Sequence, residues 1–255
     1  MKWDASLYQN RHLFVADYGK ELLNLVNRSA GQAILDLGCG TGQLTYELSR
    51  QGAEAIGCDA SLEMIQMARE NFPSLSFAVA DGTALPFEGR FDTVFSNAVF
   101  HWIADQDALL KSVCRTLKPG GVLVCEFGAK GNIEAIRAAF SRVLARRGLT
   151  AKHRFFYPSS EEYAALLERH GFHADFVADF DRPTPFQGGE TGMRNWIVQF
   201  FPDDLAPFSE VEREELLAET DRELKPILWD GTQWVGDYRR IRLRAVKRSD
   251  MFLAV

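Results

Sequence analysis

The run Ile34-Leu35-Asp36-Leu37-Gly38-Cys39-Gly40-Thr41-Gly42 constrains this chain more than any other segment. Its apolar first half reads as a buried strand. Three glycines at alternate positions then predict a sharp turn, because glycine takes left-handed backbone without a Cβ penalty. A helical pattern through Leu44, Tyr46 and Leu48 follows and stops near Gly52. Strand, glycine turn and helix in that order predict one unit of an open α/β sheet, a fold that binds ligands at the carboxyl ends of its strands.

The same alternation continues through the first two-thirds of the chain. Apolar runs at 54–58, 75–80, 91–95 and 122–127 read as further strands. Between them lie a helix to Phe72 with Ser61 as its N-cap and Pro73 as its stop, and a helix over 107–117 ended by Pro119-Gly120-Gly121. Ahead of everything, Leu7, Phe14, Tyr18, Leu22 and Leu25 fall at helical spacings. The fold class is therefore α/β, a doubly wound parallel sheet.

The last third changes character. A helix is expected over 133–147, its final turns basic, and Ser159 with Glu162 makes a capping box for a helix ending at Gly171. Strands are expected at 172–180 and 238–247. The second places Ile241, Leu243 and Ala245 on one face and Arg240, Arg242 and Arg244 on the other. Residues 182–231, with Trp196, Phe200, Phe201 and a second capping box (Ser209 with Glu212), interrupt the sheet pattern. The expected organisation is an N-terminal helical lid at 1–30, a core at 31–181 and 232–255, and a helical insertion at 182–231 near the substrate pocket.

Composition excludes several classes. Apolar residues make up 46% and charged residues 25%, with a net charge of −6. No global basic field is available for nucleic acid, and no apolar run approaches the roughly 18 residues of a membrane span. The first residues lack a signal-peptide pattern, so the expected compartment is the cytoplasm. Cys39, Cys58, Cys114 and Cys125 form no C-x-x-C pair. They read as small buried hydrophobes, and no metal is expected.

Asp59 ends the second strand 17 residues after Gly42, placed to accept hydrogen bonds from both hydroxyls of a ribose. The glycine spacing is G-x-G-x-G rather than the G-x-G-x-x-G of dinucleotide folds. An acid, Asp36, stands just ahead of it, where a pyrophosphate would be repelled. A ligand with an ammonium group suits that position, and S-adenosylmethionine carries one together with ribose and adenine. A dinucleotide oxidoreductase and a non-catalytic S-adenosylmethionine-binding module are the competing readings.

Over roughly residues 30 to 130 the chain resembles the class I S-adenosylmethionine-dependent methyltransferases, through the pattern D-x-G-C-G-T-G at Asp36 to Gly42. The resemblance implies a Rossmann-like seven-stranded sheet. It also implies that Gly38, Cys39, Gly40, Thr41 and Gly42 line the methionine part and that Asp59, with Ala60 and Met64 beside it, holds the ribose. Asp81 and Gly82 would meet the adenine, and Asn97 and Ala98 would face the methyl group. Within the class, the trans-aconitate and malonyl-carrier-protein O-methyltransferases are the most similar subgroups. They share an aromatic N-terminal segment (Trp3 to Tyr8 here, with Tyr8 over the cofactor) and a polar-Trp step, Ser96 to Trp102 here. His101 departs from the glutamine common in those subgroups.

Acceptor chemistry follows from how much help the nucleophile needs. A carboxylate needs no base, whereas an amine, hydroxyl or carbon acceptor does. His101 is read either as that base or as a hydrogen-bonded pocket wall beside Trp102. The expected acceptor is a small molecule, a carboxylic acid in the first reading, on a monomer or homodimer. Trp102, Arg182, Trp196, Arg239 and Arg240 are candidate acceptor contacts, since arginine grips carboxylates bidentately. The alternatives are a solvated strand face for the arginines and simple core packing for Trp196.

Overall fold

The computed structural model describes residues 21–152 and 155–249. The first twenty residues of the expected N-terminal lid therefore lie outside the described residues, Trp3 and Tyr8 included. In chain order the first elements are β1 (Ala33–Leu37), α1 (Gln43–Ser49), β2 (Glu54–Asp59), α2 (Leu62–Asn71), β3 (Ser76–Val79), β4 (Phe91–Asn97) and α3 (Gln106–Thr116). There follow β5 (Leu117–Gly128), α4 (Glu134–Ala145), α5 (Ser160–Arg169) and β6 (Phe172–Asp181). The last are β7 (Thr184–Pro185), α6 (Gly192–Phe200), α7 (Pro202–Leu205), α8 (Glu210–Leu228), β8 (Val235–Gly236) and β9 (Arg239–Lys247).

Seven strands form one sheet in the order β3-β2-β1-β4-β5-β9-β6. From β3 to β5 neighbouring strands pair in parallel, with Asp36 opposite Gly57 on one side and Phe95 on the other. The last residues of β9 lie beside the starts of both neighbours. Arg248 N–H donates to Gly171 O at 2.8 Å, and Lys247 Nζ to Leu117 O at 2.7 Å, so β9 runs antiparallel to both. The strand order reverses between β1 and β4, which opens a crevice at their carboxyl ends. The seven expected strands are all present, but the sheet is mixed rather than wholly parallel, because β9 enters from the opposite direction. β5 reaches back to Leu117, so Pro119-Gly120-Gly121 lies within its irregular start rather than in a separate turn.

The chain divides into two compact units. The first comprises Met1–Ala129, Phe155–Asp179 and Ile241–Val255. Its core buries both faces of β1: Leu35 shares one apolar cluster with Val94, Leu123 and Ile241, and Ile34 shares another with Leu48, Phe95 and Val124, both at 0% exposure. Each such side chain contributes about 1.5–3 kcal/mol on burial. Ser61 caps α2 by accepting the Met64 N–H at 3.3 Å, and Ser159 and Glu162 form a full capping box on α5. Asp105 caps α3 through Ala108 N–H at 2.9 Å.

The second unit comprises Lys130–Arg154 and Phe180–Arg240. In it β7 and β8 pair antiparallel, and the Ser209–Glu212 capping box starts α8. The basic last turns of α4 face acids on α8: Arg146 meets Glu223 at 2.7 Å and Arg147 meets Glu219 at 2.8 Å. Among the described residues, no helix is long and apolar enough to cross a membrane.

Candidate active site

The glycine turn is held from two sides. Gly38 and Cys39 donate backbone N–H bonds to Cys58 O at 2.7 and 3.0 Å, and Gly42 N–H closes the turn on Cys39 O at 3.0 Å. All three glycines have positive φ. They do different work. A Cβ on Gly38 would sit 2.2 Å from Val99 Cγ2, and one on Gly42 would sit 2.8 Å from Phe77 Cζ, so both positions are closely packed. A Cβ on Gly40 would meet nothing within 4 Å. That open side of the turn is where a ligand can approach bare backbone.

Asp59 ends β2 beside it. Its Oδ2 accepts Gly40 N–H at 3.1 Å and its Oδ1 accepts Ser61 N–H at 2.9 Å. A carboxylate has about four acceptor positions, so its capacity is not used up by these bonds and hydroxyls such as a ribose presents can still be accepted. Burial raises its pKa from the ordinary range, and the backbone N–H donors offset part of that rise. Asp36 is closed off more completely, at 1% exposure, with Oδ2 accepting the Thr45 hydroxyl at 2.6 Å. Burial pushes its carboxyl up to about 7, against the Thr45 hydrogen bond and with help from the Asp59 charge. Asp36 thus bears on a cationic ligand through its charge, one oxygen being already engaged. Burial also pushes the Cys58 thiol up to about 12, which suits the reading of these cysteines as packing groups.

The other expected cofactor residues sit around the same sheet edge. Asp81 follows β3 and folds its own turn, accepting Thr83 N–H at 2.9 Å and the Thr83 hydroxyl at 2.8 Å. Gly82 is buried against Ile103, Leu109 and Leu37. Ala60 is exposed, Met64 is buried, and Thr41 O accepts Asn71 Nδ2–H at 3.2 Å. Asn97 ends β4. Ala98 follows it with φ +62°, a strained conformation for a residue with a Cβ, held by its N–H bond to Glu126 O at 2.7 Å. Nothing in the sequence marks that strain.

His101 lies in a single tight turn, Phe100–Trp102, after β4. Gln106 fixes the turn by donating Nε2–H to Phe100 O at 2.8 Å and Ile103 O at 2.6 Å, and its Oε1 accepts the Tyr163 hydroxyl at 3.1 Å. The imidazole is buried, and its Nδ1 accepts Gly128 N–H at 3.2 Å. An Nδ1 that accepts leaves the ring's proton on Nε2. Phe155 and Tyr157 complete the surroundings: they stack at 5.3 Å, and Trp102 meets Phe155 edge-on at 4.6 Å. Phe156 N–H donates to His101 O at 2.9 Å, which ties that segment to the turn. The aromatic run Phe155-Phe156-Tyr157 was the available signal for this wall, and sequence reasoning passed over it.

The remaining candidates, Arg182, Trp196, Arg239 and Arg240, all belong to the second unit, and Arg182, Trp196 and Arg240 contact Tyr238. Trp196 Nε1–H donates to the Tyr238 hydroxyl at 2.7 Å, and Arg182 N–H to Tyr238 O at 2.7 Å. The Arg240 guanidinium stands 4.7 Å from the Tyr238 ring centroid. Arg239 differs, meeting Asp181 at 2.6 Å. The arginine side of β9 is thus no bare solvated face. Arg242 also pairs, with Glu126 at 2.7 Å.

Comparison with known proteins agrees with this geometry. The family described as methyltransferase domain matches residues 35–125. An uncharacterized methyltransferase of Schizosaccharomyces pombe is 33% identical over 264 residues, covering 96% of this chain and 98% of that protein. The trans-aconitate 2-methyltransferase of Methylobacterium radiotolerans is 36% identical over 126 residues, 49% of this chain and 48% of that enzyme. The chain thus matches only about half of that relative. Among solved structures, the Haemonchus contortus phosphoethanolamine N-methyltransferase 2 in complex with S-adenosyl-L-methionine superposes with a TM-score of 0.58 at 23% identity. That match covers 91% of this chain and 52% of that one, and it speaks for the fold.

Proposed function

From a chain that belongs to the S-adenosylmethionine-dependent methyltransferases, we propose an enzyme that transfers the methyl group to a carboxylate oxygen of a small molecule. Bound S-adenosylmethionine supplies an electrophilic methyl group on a sulfonium. In this reading Asp59 takes the ribose hydroxyls on its free lone pairs, and the open side of Gly40 admits the methionine backbone. Asp36 offsets positive charge near the turn, Asp81 and Gly82 border the adenine, and Asn97 with Ala98 faces the reacting methyl. Most of the barrier reduction then comes from holding donor and acceptor in line and keeping water out.

One observation carries the choice of acceptor: the Gly128 N–H on His101 Nδ1. With that lone pair engaged and the proton on Nε2, the neutral His101 ring has no lone pair left to act as a base. An acceptor that is already an anion at neutral pH needs no base, and a carboxylate meets that condition. The relatives named for trans-aconitate methylation lend support over half their length. The proposed setting is the cytoplasm, in keeping with four free cysteines. A methyl-labelled donor incubated with panels of carboxylic acids, amines and phenols tests the reading. Label in a base-labile methyl ester supports it, and label confined to base-stable amine or ether products overturns it.

A further inference from the structure

The basic residues of β9 and the segment after it are matched one by one. Arg239 meets Asp181, Arg242 meets Glu126, Arg244 meets Asp175 and Arg248 meets Glu168. Lys247 donates to the carbonyls of Cys114 and Leu117. Arg240 stands apart. It is only 8% exposed, yet among the described residues no hydrogen bond or ion pair reaches its guanidinium. The contact with the Tyr238 ring returns part of the desolvation cost but provides no acceptor for its five N–H donors.

Tyr238 has a matching surplus. It is 8% exposed, and its hydroxyl oxygen already accepts the Trp196 Nε1–H at 2.7 Å. The phenol's own hydrogen is therefore left to donate, and among the described residues it makes no hydrogen bond. Burial raises the hydroxyl above the usual phenol range, so the hydrogen stays in place at neutral pH. The Arg182 N–H bond to Tyr238 O sets those two residues opposite each other. The two-residue period of extended chain then brings Phe180, Arg182, Tyr238 and Arg240 to one face, with Arg182 buried as well.

A buried cation without a counter-ion is costly, and an external anion relieves the cost. A guanidinium fork beside an O–H donor fits the planar, two-oxygen shape of a carboxylate. We propose that Arg240 and the Tyr238 hydroxyl form a subsite in the second unit that binds the carboxylate of a small-molecule ligand. The subsite stands on its own geometry and is independent of which acceptor atom the enzyme methylates.

Calorimetric titration of the full chain with glutarate, its uncharged isostere glutaramide and inorganic phosphate tests the subsite. Thermal melting without ligand and titration with S-adenosylhomocysteine accompany it. Glutarate is expected to bind and glutaramide not. Arg240→Met should weaken glutarate tenfold or more, Tyr238→Phe severalfold, and Arg240→Lys less than Arg240→Met, all with the S-adenosylhomocysteine affinity kept. Without ligand, Arg240→Met should melt a few degrees higher than the parent, because it removes an uncompensated buried charge; a purely structural arginine would give the opposite sign. Absence of glutarate binding, equal binding by Arg240→Met, a preference for phosphate, or a lower melting temperature for Arg240→Met overturns the proposal. Loss of S-adenosylhomocysteine binding in the parent would instead count against the methyltransferase reading.

Discussion

Asp59 Oδ2 accepts the backbone N–H of Gly40 at 3.1 Å, so the carboxylate that ends β2 also fixes the turn that ends β1. Two segments 19 residues apart in sequence become one rigid edge. The middle glycine of that edge is the open one, while Gly38 is packed against Val99. Substitutions at the two glycines should therefore fail in different ways.

Gly38→Ala is expected to cost stability. Its Cβ would lie 2.2 Å from Val99 Cγ2 at φ +76°, which combines overpacking with backbone strain, about 2–4 kcal/mol in all. Gly40→Ala should cost about 1–2 kcal/mol, from φ alone, yet weaken S-adenosylhomocysteine binding more than Gly38→Ala does. Urea denaturation and calorimetry separate the two. Val99→Ala should recover part of the Gly38→Ala loss and none of the Gly40→Ala loss.

Asp36 makes the unliganded protein pH-sensitive. Its folded carboxyl titrates near 7 against an ordinary value of 3.8, so between those values the folded state holds a proton that the unfolded state has lost. Its contribution is fully present below about pH 4 and is lost as pH rises through about 7. Asp36→Asn should therefore match the parent near pH 4 and exceed it at pH 8 in urea midpoint. Equal midpoints at pH 8 would contradict the buried, unpaired environment described for it.

His101 holds a backbone donor as well as a wall of the site. His101→Ala leaves the buried Gly128 N–H without its acceptor and should cost about 1–3 kcal/mol. His101→Asn, whose amide oxygen can replace Nδ1, should recover most of that. With a carboxylate acceptor, the shape of the pH–rate profile should be the same in His101→Asn as in the parent. A limb of the profile that vanishes in His101→Asn would make His101 a base.

The Glu126–Arg242 pair predicts a larger effect than the exposed pairs around it. Glu126 is 2% exposed, and its loss takes one carboxylate from a partly buried guanidinium that also meets Glu21. Glu126→Ala should cost about 2–4 kcal/mol, whereas the exposed Arg90–Glu54 pair should contribute well under 1 kcal/mol. Denaturant titrations of both variants at low and high salt would show the contrast.

What the sequence made legible was local. The glycine turn, the Ser61 cap and both capping boxes depend on residues within a few positions of one another, and apolar runs, or alternation in the last two, marked the strands of the main sheet. Long-range contacts were not legible. Nothing near His101 announces that Gly128 will donate to it, and nothing near Arg242 announces Glu126. The strand 239–247 could be divided into an apolar and a basic face, but the acids that neutralise all but one of its described arginines come from distant segments. Phe155 and Tyr157 fell in a loop without periodicity, so their stacking beside Trp102 went unread. Tyr8 and the rest of the aromatic N-terminus lie outside the described residues.

The most direct measurement is calorimetric titration of S-adenosylhomocysteine into the parent chain and into Asp59→Ala. Removing that carboxylate takes away the acceptor of Gly40 N–H and the proposed partner of the ribose hydroxyls together, so one-to-one binding by the parent should weaken tenfold or more. Unchanged affinity in Asp59→Ala, or no binding by the parent at all, would contradict the account.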